Sequence, residues 1–280
     1  ADIFRIKPGA EFTMESNPCS LTKEKLRLYR DLGVNRLSVG LQSTLDSELK
    51  MLGRLHDYKT FLDAYAMARE CFDNINIDLI SGLPGQRPED FALTLDRVTA
   101  LAPEHISAYS LILEEGTPLE KEVSSGRLSR PDEETDRQIY ALTAQKLLIS
   151  GYKRYEISNY SREGYECRHN LGYWNRTEYL GIGTGAASLI NNQRFVEGGE
   201  IEVLSLQNQM EEYMFLGLRK IEGVSKTDFR QTFGRSIENA YGKVLIDMYQ
   251  KQLLEDTGEY IRLTEKGIDV SNYVMSEFLF

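Results

Sequence analysis

Apolar residues recur along the first part of the chain in two alternating rhythms. Strand-length blocks appear at Arg36 to Leu41 (RLSVGL), Asn76 to Ile80 (NIDLI) and His105 to Leu111, with a shorter one at Glu11 to Met14 ended by Asn17-Pro18. Between them apolar positions fall three and four apart, the spacing of one helix face. Leu21 to Leu32 predicts a helix with Ser20 as N-cap and Gly33 as its stop. Phe61, Tyr65, Ala68 and Phe72 predict a second helix, and Phe91, Leu95 and Val98 a third. Strand blocks separated by helical blocks predict parallel βαβ units. Ala1 to Phe4 read as the end of an amphipathic helix, so a cut N-terminus is expected.

Near Ser205 the pattern changes. Tyr241, Val244, Leu245 and Met248 share a helical face, and Tyr260 to Thr264 is a short strand before a final helix. Asn191-Asn192 and Gly198-Gly199 mark turns on the way. The expected fold class is α/β, an incomplete parallel (β/α) barrel over 1–190 with a C-terminal helical, winged-helix-like module over 205–280. One barrel edge is expected to be open.

Composition narrows the classes. The chain has 280 residues, 41% apolar and 27% charged, as a folded domain of ordinary composition has. Its formal net charge of -10 disfavours nonspecific nucleic-acid binding, which needs a basic surface. No apolar run approaches the roughly 20 residues that cross a bilayer, and the start has no signal-peptide pattern. Three dispersed cysteines, Cys19, Cys71 and Cys167, fit a reducing cytoplasm better than a disulfide scaffold. No CxxC pair is present for a zinc ribbon or a local cluster loop.

Candidate chemistry falls in two places. The functional face of a parallel barrel lies at the C-terminal ends of its strands. Glu15 and Asn17, Gln42 and Ser43, Asp78, then Ser107 and Tyr109 fall at or near successive strand ends, and Arg54 lies in LGRLHD after the second strand. Singly, each is best read as a hydrogen-bonded loop residue. Their recurrence favours a binding face. Carboxylates for hydroxyls or an ammonium, an amide, and an arginine for a carboxylate suit a zwitterionic nucleoside such as S-adenosylmethionine. His56 and His105 carry little weight, His56 as an aid to the Arg54 loop and His105 as a structural residue.

The second place is Tyr155 to Ser188, dense in aromatics, with the only tryptophan, Trp174, and one of three histidines, His169. Imidazole ligates iron and aromatic rings suit a porphyrin face. On composition alone the better reading has His169 capping a helix and Tyr173 and Trp174 filling core. Cys167 reads as a small buried hydrophobe or a thiolate. Gly181 to Ala186 matches GxGxxA, but no βαβ unit surrounds it, so the glycines are expected to permit close backbone approach instead.

TMESNP, RLSVGLQS, LGRLHD, NIDLISGLPGQ and YEISNYSREGYECRHNLGYW resemble, in order and spacing, the radical-SAM oxygen-independent coproporphyrinogen III oxidase-like family. HNLGYW fits the HNxxYW pattern of its haem-chaperone (HemW-type) branch. The resemblance covers essentially the whole chain. It implies a barrel of radical-SAM type, S-adenosylmethionine contacts at Glu15, Gln42, Arg54 and Asp78, and His169 as a haem iron ligand with Tyr173 and Trp174 shaping an apolar wall. It implies haem and haem-acceptor proteins as partners. The family's CxxxCxxC motif for a 4Fe–4S cluster is expected to precede Ala1, and the cysteines present do not match it. On that reading the chain as it stands neither holds the cluster nor cleaves S-adenosylmethionine. The alternative function is oxidative decarboxylation of coproporphyrinogen III, because the barrel motifs serve both branches. A nucleic-acid-binding role rests on the winged-helix-like end alone, and the acidic charge opposes it.

Overall fold

A computed structural model describes residues 6–279; the Ala1 to Phe4 helix end lies outside them. By internal packing the chain divides into two units, one of residues to Arg154 with Ser158–Glu166, the other of Tyr155–Ile157 with Cys167 onward.

The first unit runs β1 (Thr13–Ser16), α1 (Lys23–Asp31), β2 (Arg36–Gln42), α2 (Asp46–Met51), α3 (Tyr58–Arg69), β3 (Ile75–Ser81), α4 (Pro88–Ala100), β4 (His105–Ser110), α5 (Pro118–Ser124), α6 (Glu133–Ile149), β5 (Lys153–Arg154) and β6 (Asn159–Ser161). The sheet order is β1-β2-β3-β4-β6-β5. β1 to β4 are parallel, β6 and β5 antiparallel. This is the expected incomplete parallel (β/α) barrel, and among the described residues β1 and β5 are its two ends.

Two expectations shift. The first strand starts at Thr13 rather than Glu11, and α1 is capped by Thr22, whose hydroxyl accepts from the Lys25 N–H at 3.3 Å. Pro18 starts a 3-10 turn instead, and its Ser20 hydroxyl is spent on the Asn17 carbonyl at 2.8 Å. Gly33, at φ +95°, stops α1 as the sequence predicts. Asp57 and Asp132 cap α3 and α6 in the same way as Thr22, each at 2.7 Å.

Strand alternation separates two faces. Leu37, Val39 and Leu41, with Ile75, Ile77 and Leu79, are fully buried and belong to one apolar core with Leu26, Phe61, Phe91 and Leu95 of the helices. The alternate positions Ser38, Asn76, Asp78, His105 and Ser107 are polar and share the other face. Parallel sheets normally have both faces covered by apolar layers. A polar second face is what a barrel lumen with a binding role requires.

The second unit contains α7 (Arg168–Trp174), a meander β7 (Ala187–Ile190), β8 (Gln193–Val196) and β9 (Glu202–Val203), then α8 (Leu206–Gly217), β10 (Val224–Ser225), α9 (Lys226–Phe233), α10 (Ile237–Gln250), β11 (Leu254–Asp256), β12 (Tyr260–Leu263), α11 (Glu265–Asp269) and α12 (Ser271–Ser276). Asn191 and Asn192 both have positive φ, 50° and 58°, and form the two-residue turn of β7–β8. Ser205 and Asn208 make a capping box for α8. β10, before α9 and α10, pairs with β12, and β12 with β11 after them, an antiparallel sheet β10-β12-β11 that forms the wing of the expected winged-helix-like arrangement.

Candidate functional site

On the polar face, Glu15 pairs in register with Ser38, and Ser38 with Asn76. Gly40 pairs with Asp78, and Asp78 with Ser107. Asp78 is held from both sides. Ser38 Oγ donates to Oδ2 at 2.8 Å and Asn76 Nδ2 to Oδ1 at 2.7 Å. Burial pushes the Asp78 carboxyl above the ordinary aspartate range, hydrogen bonds from Ser38 and Asn76 oppose that rise, and the Glu15 carboxylate adds a small upward push.

Gln42 closes β2 in a left-handed conformation, φ 73°, where the register with β3 shifts. The side chain folds back over Gly40. A Cβ on Gly40 would lie 2.7 Å from Gln42 Nε2 and 3.9 Å from Asn17 Oδ1. The glycine leaves room for the Gln42 amide directly beside the strand position paired with Asp78.

Arg54 follows Gly53, at φ +67°, and its N–H bonds the Leu49 carbonyl at 2.9 Å. His56, two residues on, is buried and its Nε2 lies 3.1 Å from the Leu41 carbonyl, which ties this loop to the end of β2. The expectation that His56 assists the Arg54 loop is what the geometry shows. Arg54 Nε is buried without a partner. No hydrogen bond joins it to Glu15, Gln42 or Asp78 among the described residues. A buried N–H donor left over beside polar strand ends fits an acidic ligand group.

A latch that the sequence reading missed fixes the loops after β2 and β3. Glu48, 7% exposed, accepts from Ser43 Oγ and, at 3.1 Å, from Gln86 Nε2; Gln86 Oε1 accepts the Gly82 N–H at 2.9 Å. Burial holds the Glu48 carboxyl above its usual range, against the Ser43 and Gln86 hydrogen bonds. A carboxyl raised on folding contributes most below its unfolded value of about 4.3 and loses that contribution as pH rises through the folded value. Glu48→Gln is therefore expected to stabilise the fold at pH 7 by on the order of 1 kcal/mol. The gain should vanish near pH 4, and urea unfolding at the two pH values measures it. Destabilisation at pH 7 would show that the latch needs the ionised carboxylate.

Of the second candidate region, Ser158–Glu166 belongs to the first unit, and Cys167 onward, with His169, Tyr173 and Trp174, to the second. α7 carries His169 on an exposed face. The Tyr173 ring meets His169 edge-on with centroids 4.7 Å apart, and Tyr179 meets Tyr173 in the same way at 4.7 Å. Trp174 is about 100° further round the helix than Tyr173. Its ring lies under the Arg219 guanidinium at 4.3 Å, and its Nε1 is buried without an acceptor. The structure thus brings Tyr173 and Tyr179 together with His169 and gives Trp174 a different neighbour. An exposed imidazole bordered by aromatic edges fits an iron porphyrin.

Tyr179 was not singled out from the sequence. The signal lay in the glycines after it: Tyr179 and Leu189 exchange both backbone hydrogen bonds and close the 180–188 loop. A Cβ on Gly181 would come within 2.3 Å of the Ala187 carbonyl oxygen. The GxGxxA stretch is a loop needing close backbone approach, and no helix follows it.

Cys19 is exposed after β1, Cys71 follows α3 and Cys167 is buried at the start of α7. Among the described residues no three His, Cys, Asp or Glu side chains gather as a metal site. No helix of the described residues is long and apolar enough to cross a membrane.

Comparison with known proteins gives the family and the fold. The Radical SAM superfamily model covers residues 1–98, and the HemN C-terminal domain model covers 204–270. Heme chaperone HemW of Bacillus subtilis is 36% identical over 98% of this chain and 78% of its own length. Its namesake in Lactococcus lactis is 35% identical over 96% of this chain and 75% of its own. The solved structure of coproporphyrinogen III oxidase (HemN) from Escherichia coli, a radical SAM enzyme, superposes over 99% of this chain and 71% of its own with a TM-score of 0.82 at 22% identity, a likeness of fold. With relatives at 35–36% identity matched over nearly all of this chain and three quarters or more of their own length, the chain belongs to the HemW family of HemN-like radical SAM proteins.

Proposed function

We propose that the protein is a cytoplasmic haem-binding chaperone that takes haem at His169 and passes it to haem-acceptor proteins. The observation that carries this reading is the exposed His169 ring bordered by Tyr173 and, beyond it, Tyr179. The name and level of identity of the HemW relatives support it. Trp174 would stiffen the C-terminal turn of α7 through its contact with Arg219 instead of touching the porphyrin.

Glu15, Gln42, Arg54 and Asp78 would hold S-adenosylmethionine at the strand ends, which when bound to a reduced 4Fe–4S cluster supplies radical chemistry. Asp78 and Glu15 offer acceptors for hydroxyls or an ammonium, and the spare Arg54 donor offers a carboxylate contact. The cluster is not placed on this chain's cysteines. In family terms the barrel segment would run over 1–190 and the C-terminal domain over 205–280. Fold likeness alone does not favour decarboxylation of coproporphyrinogen III.

The test is a haem titration followed by absorbance. His169→Ala is expected to abolish the histidine-ligated spectrum and weaken binding by more than about 100-fold, beyond the loss of an outer-shell partner. The side chain is exposed, so far-UV circular dichroism should not change. An unchanged haem spectrum and affinity would remove His169 as ligand. Carbon dioxide release from coproporphyrinogen III by the full-length protein would favour the enzyme reading instead.

A further inference from the structure

Asn76 stands at the centre of the polar face with every valence of its amide used. It sits on one cross-strand rung between Ser38 of β2 and His105 of β4. Its Oδ1 accepts from His105 Nδ1 at 2.6 Å and from Ser107 Oγ at 3.2 Å. Its Nδ2 donates to Ser38 Oγ and to Asp78 Oδ1, both at 2.7 Å. Two acceptor and two donor positions are therefore filled, the full capacity of a carboxamide. Turning the amide over would set its carbonyl against the Asp78 carboxylate and its NH2 against the His105 N–H.

The Asp78 carboxylate, which only accepts, decides which way the amide faces and so what His105 meets. Its partner is a carbonyl oxygen, so Nδ1 must carry the proton. The ring is fully buried, and burial together with the Arg36 charge holds its pKa well below the ordinary value. It stays neutral and donates from Nδ1. The charged and titratable groups that face the network include Glu15 from β1, Arg36 from β2 and His105 from β4. β6 sets the neutral Asn159 opposite Ser107 in register.

We propose that Asn76 and His105 are positioning residues for Asp78: the imidazole, acting through the Asn76 amide, keeps a donor on each carboxylate oxygen and presents the remaining lone pairs to a hydroxyl-bearing nucleoside at the strand ends. The ligand in this statement rests on the S-adenosylmethionine reading above, and the orientation of Asp78 does not. Neither residue needs to touch the ligand. In register His105 stands opposite Asn76 and Ser107 opposite Asp78, which separates positioning from direct support.

The experiment follows the Asp78 carboxyl by carbon-13 NMR, and the His105 ring nitrogens by nitrogen-15 NMR, across pH in the full chain. Asn76→Ala removes a donor from the carboxylate, so the Asp78 midpoint should rise by about one pH unit, a tenfold change in proton affinity. His105→Phe should raise it in the same direction, and His105→Gln, which restores an N–H for the Asn76 carbonyl, should return it towards the wild-type value. In the wild type the His105 proton should reside on Nδ1. A proton on Nε2, or an Asp78 midpoint unmoved in Asn76→Ala or in a folded His105→Phe, would overturn the proposal. Binding of S-adenosylhomocysteine, measured by calorimetry, should weaken about tenfold in Asn76→Ala and His105→Phe and recover in His105→Gln. If the carboxyl shifts as expected and the wild-type chain does not bind S-adenosylhomocysteine, the nucleoside reading fails and the positioning role stands.

Discussion

Replacing Glu212 by alanine is expected to destabilise the second unit by about 3–5 kcal/mol, the cost of leaving a buried charge without its partner. Glu212 lies on α8 with 6% of its side chain exposed, and Arg176 Nε meets it at 2.8 Å with 11% exposed. Arg194 of β8 meets its other oxygen. Arg176 NH2 is already without a partner, and NH1 is held by Asn192 Oδ1 at 2.9 Å. Removal of the carboxylate leaves that guanidinium, largely buried, with one neutral acceptor. Arg194, more exposed and also near Glu202, would lose less. Glu212→Gln keeps acceptor capacity and should cost less than half as much. Urea unfolding followed by circular dichroism reads the difference, and a loss under about 1 kcal/mol, the worth of a surface pair, would show that the pair is solvent-screened. Arg176 follows α7 by two residues, so the same variant should loosen the helix that carries His169 and weaken haem binding with it.

Gly223→Ala is expected to cost more than about 3 kcal/mol, from two sources that add. The residue has φ +91°, where a side chain itself costs roughly 1–2 kcal/mol. The added Cβ would also lie 2.3 Å from the Ile261 carbonyl oxygen and 2.6 Å from Arg262 Cβ. Ile261 pairs with Val224, so the overlap can be relieved only by separating β10 from β12. Gly234 supplies the control. It has φ +68° in the same unit, with nothing within 4 Å of an added Cβ. Gly234→Ala should therefore cost only the backbone share, about 1–2 kcal/mol. Thermal melts of the two variants test the ranking, and equal losses would mean that the wing gives way easily at Gly223.

The parallel order of β1 to β4 and their helices was legible because the two periods differ and turn residues separate them. Arg36 to Leu41 and Asn76 to Ile80 pair in parallel, as their separation by a helical block predicts. The Asn191-Asn192 turn was legible because asparagine, after glycine, is among the residues that best tolerate left-handed backbone. The caps were less so. Ser20 and Thr22 are both good N-cap residues, and only the 3-10 turn forced by Pro18 separates their roles.

The sequence by itself determined the order of β1 to β4 with α1, α3 and α4 between them, the family and the residues offered at the strand ends, because period, turn chemistry and motif spacing are local properties of the chain. Tertiary structure decided what those residues do to one another. NIDLI places Asn76 and Asp78 on one face by alternation alone. Only the strands on either side bring Ser38, His105 and Ser107 to them and fill every valence of the amide. HNLGYW offers His169, Tyr173 and Trp174 as equals. Only the turn of α7, with Tyr179 on one side and Arg219 on the other, divides them between an exposed aromatic edge and a packed contact. Hydrogen bonds and ring contacts between residues far apart in the chain depend on which elements lie side by side, and no local pattern encodes that.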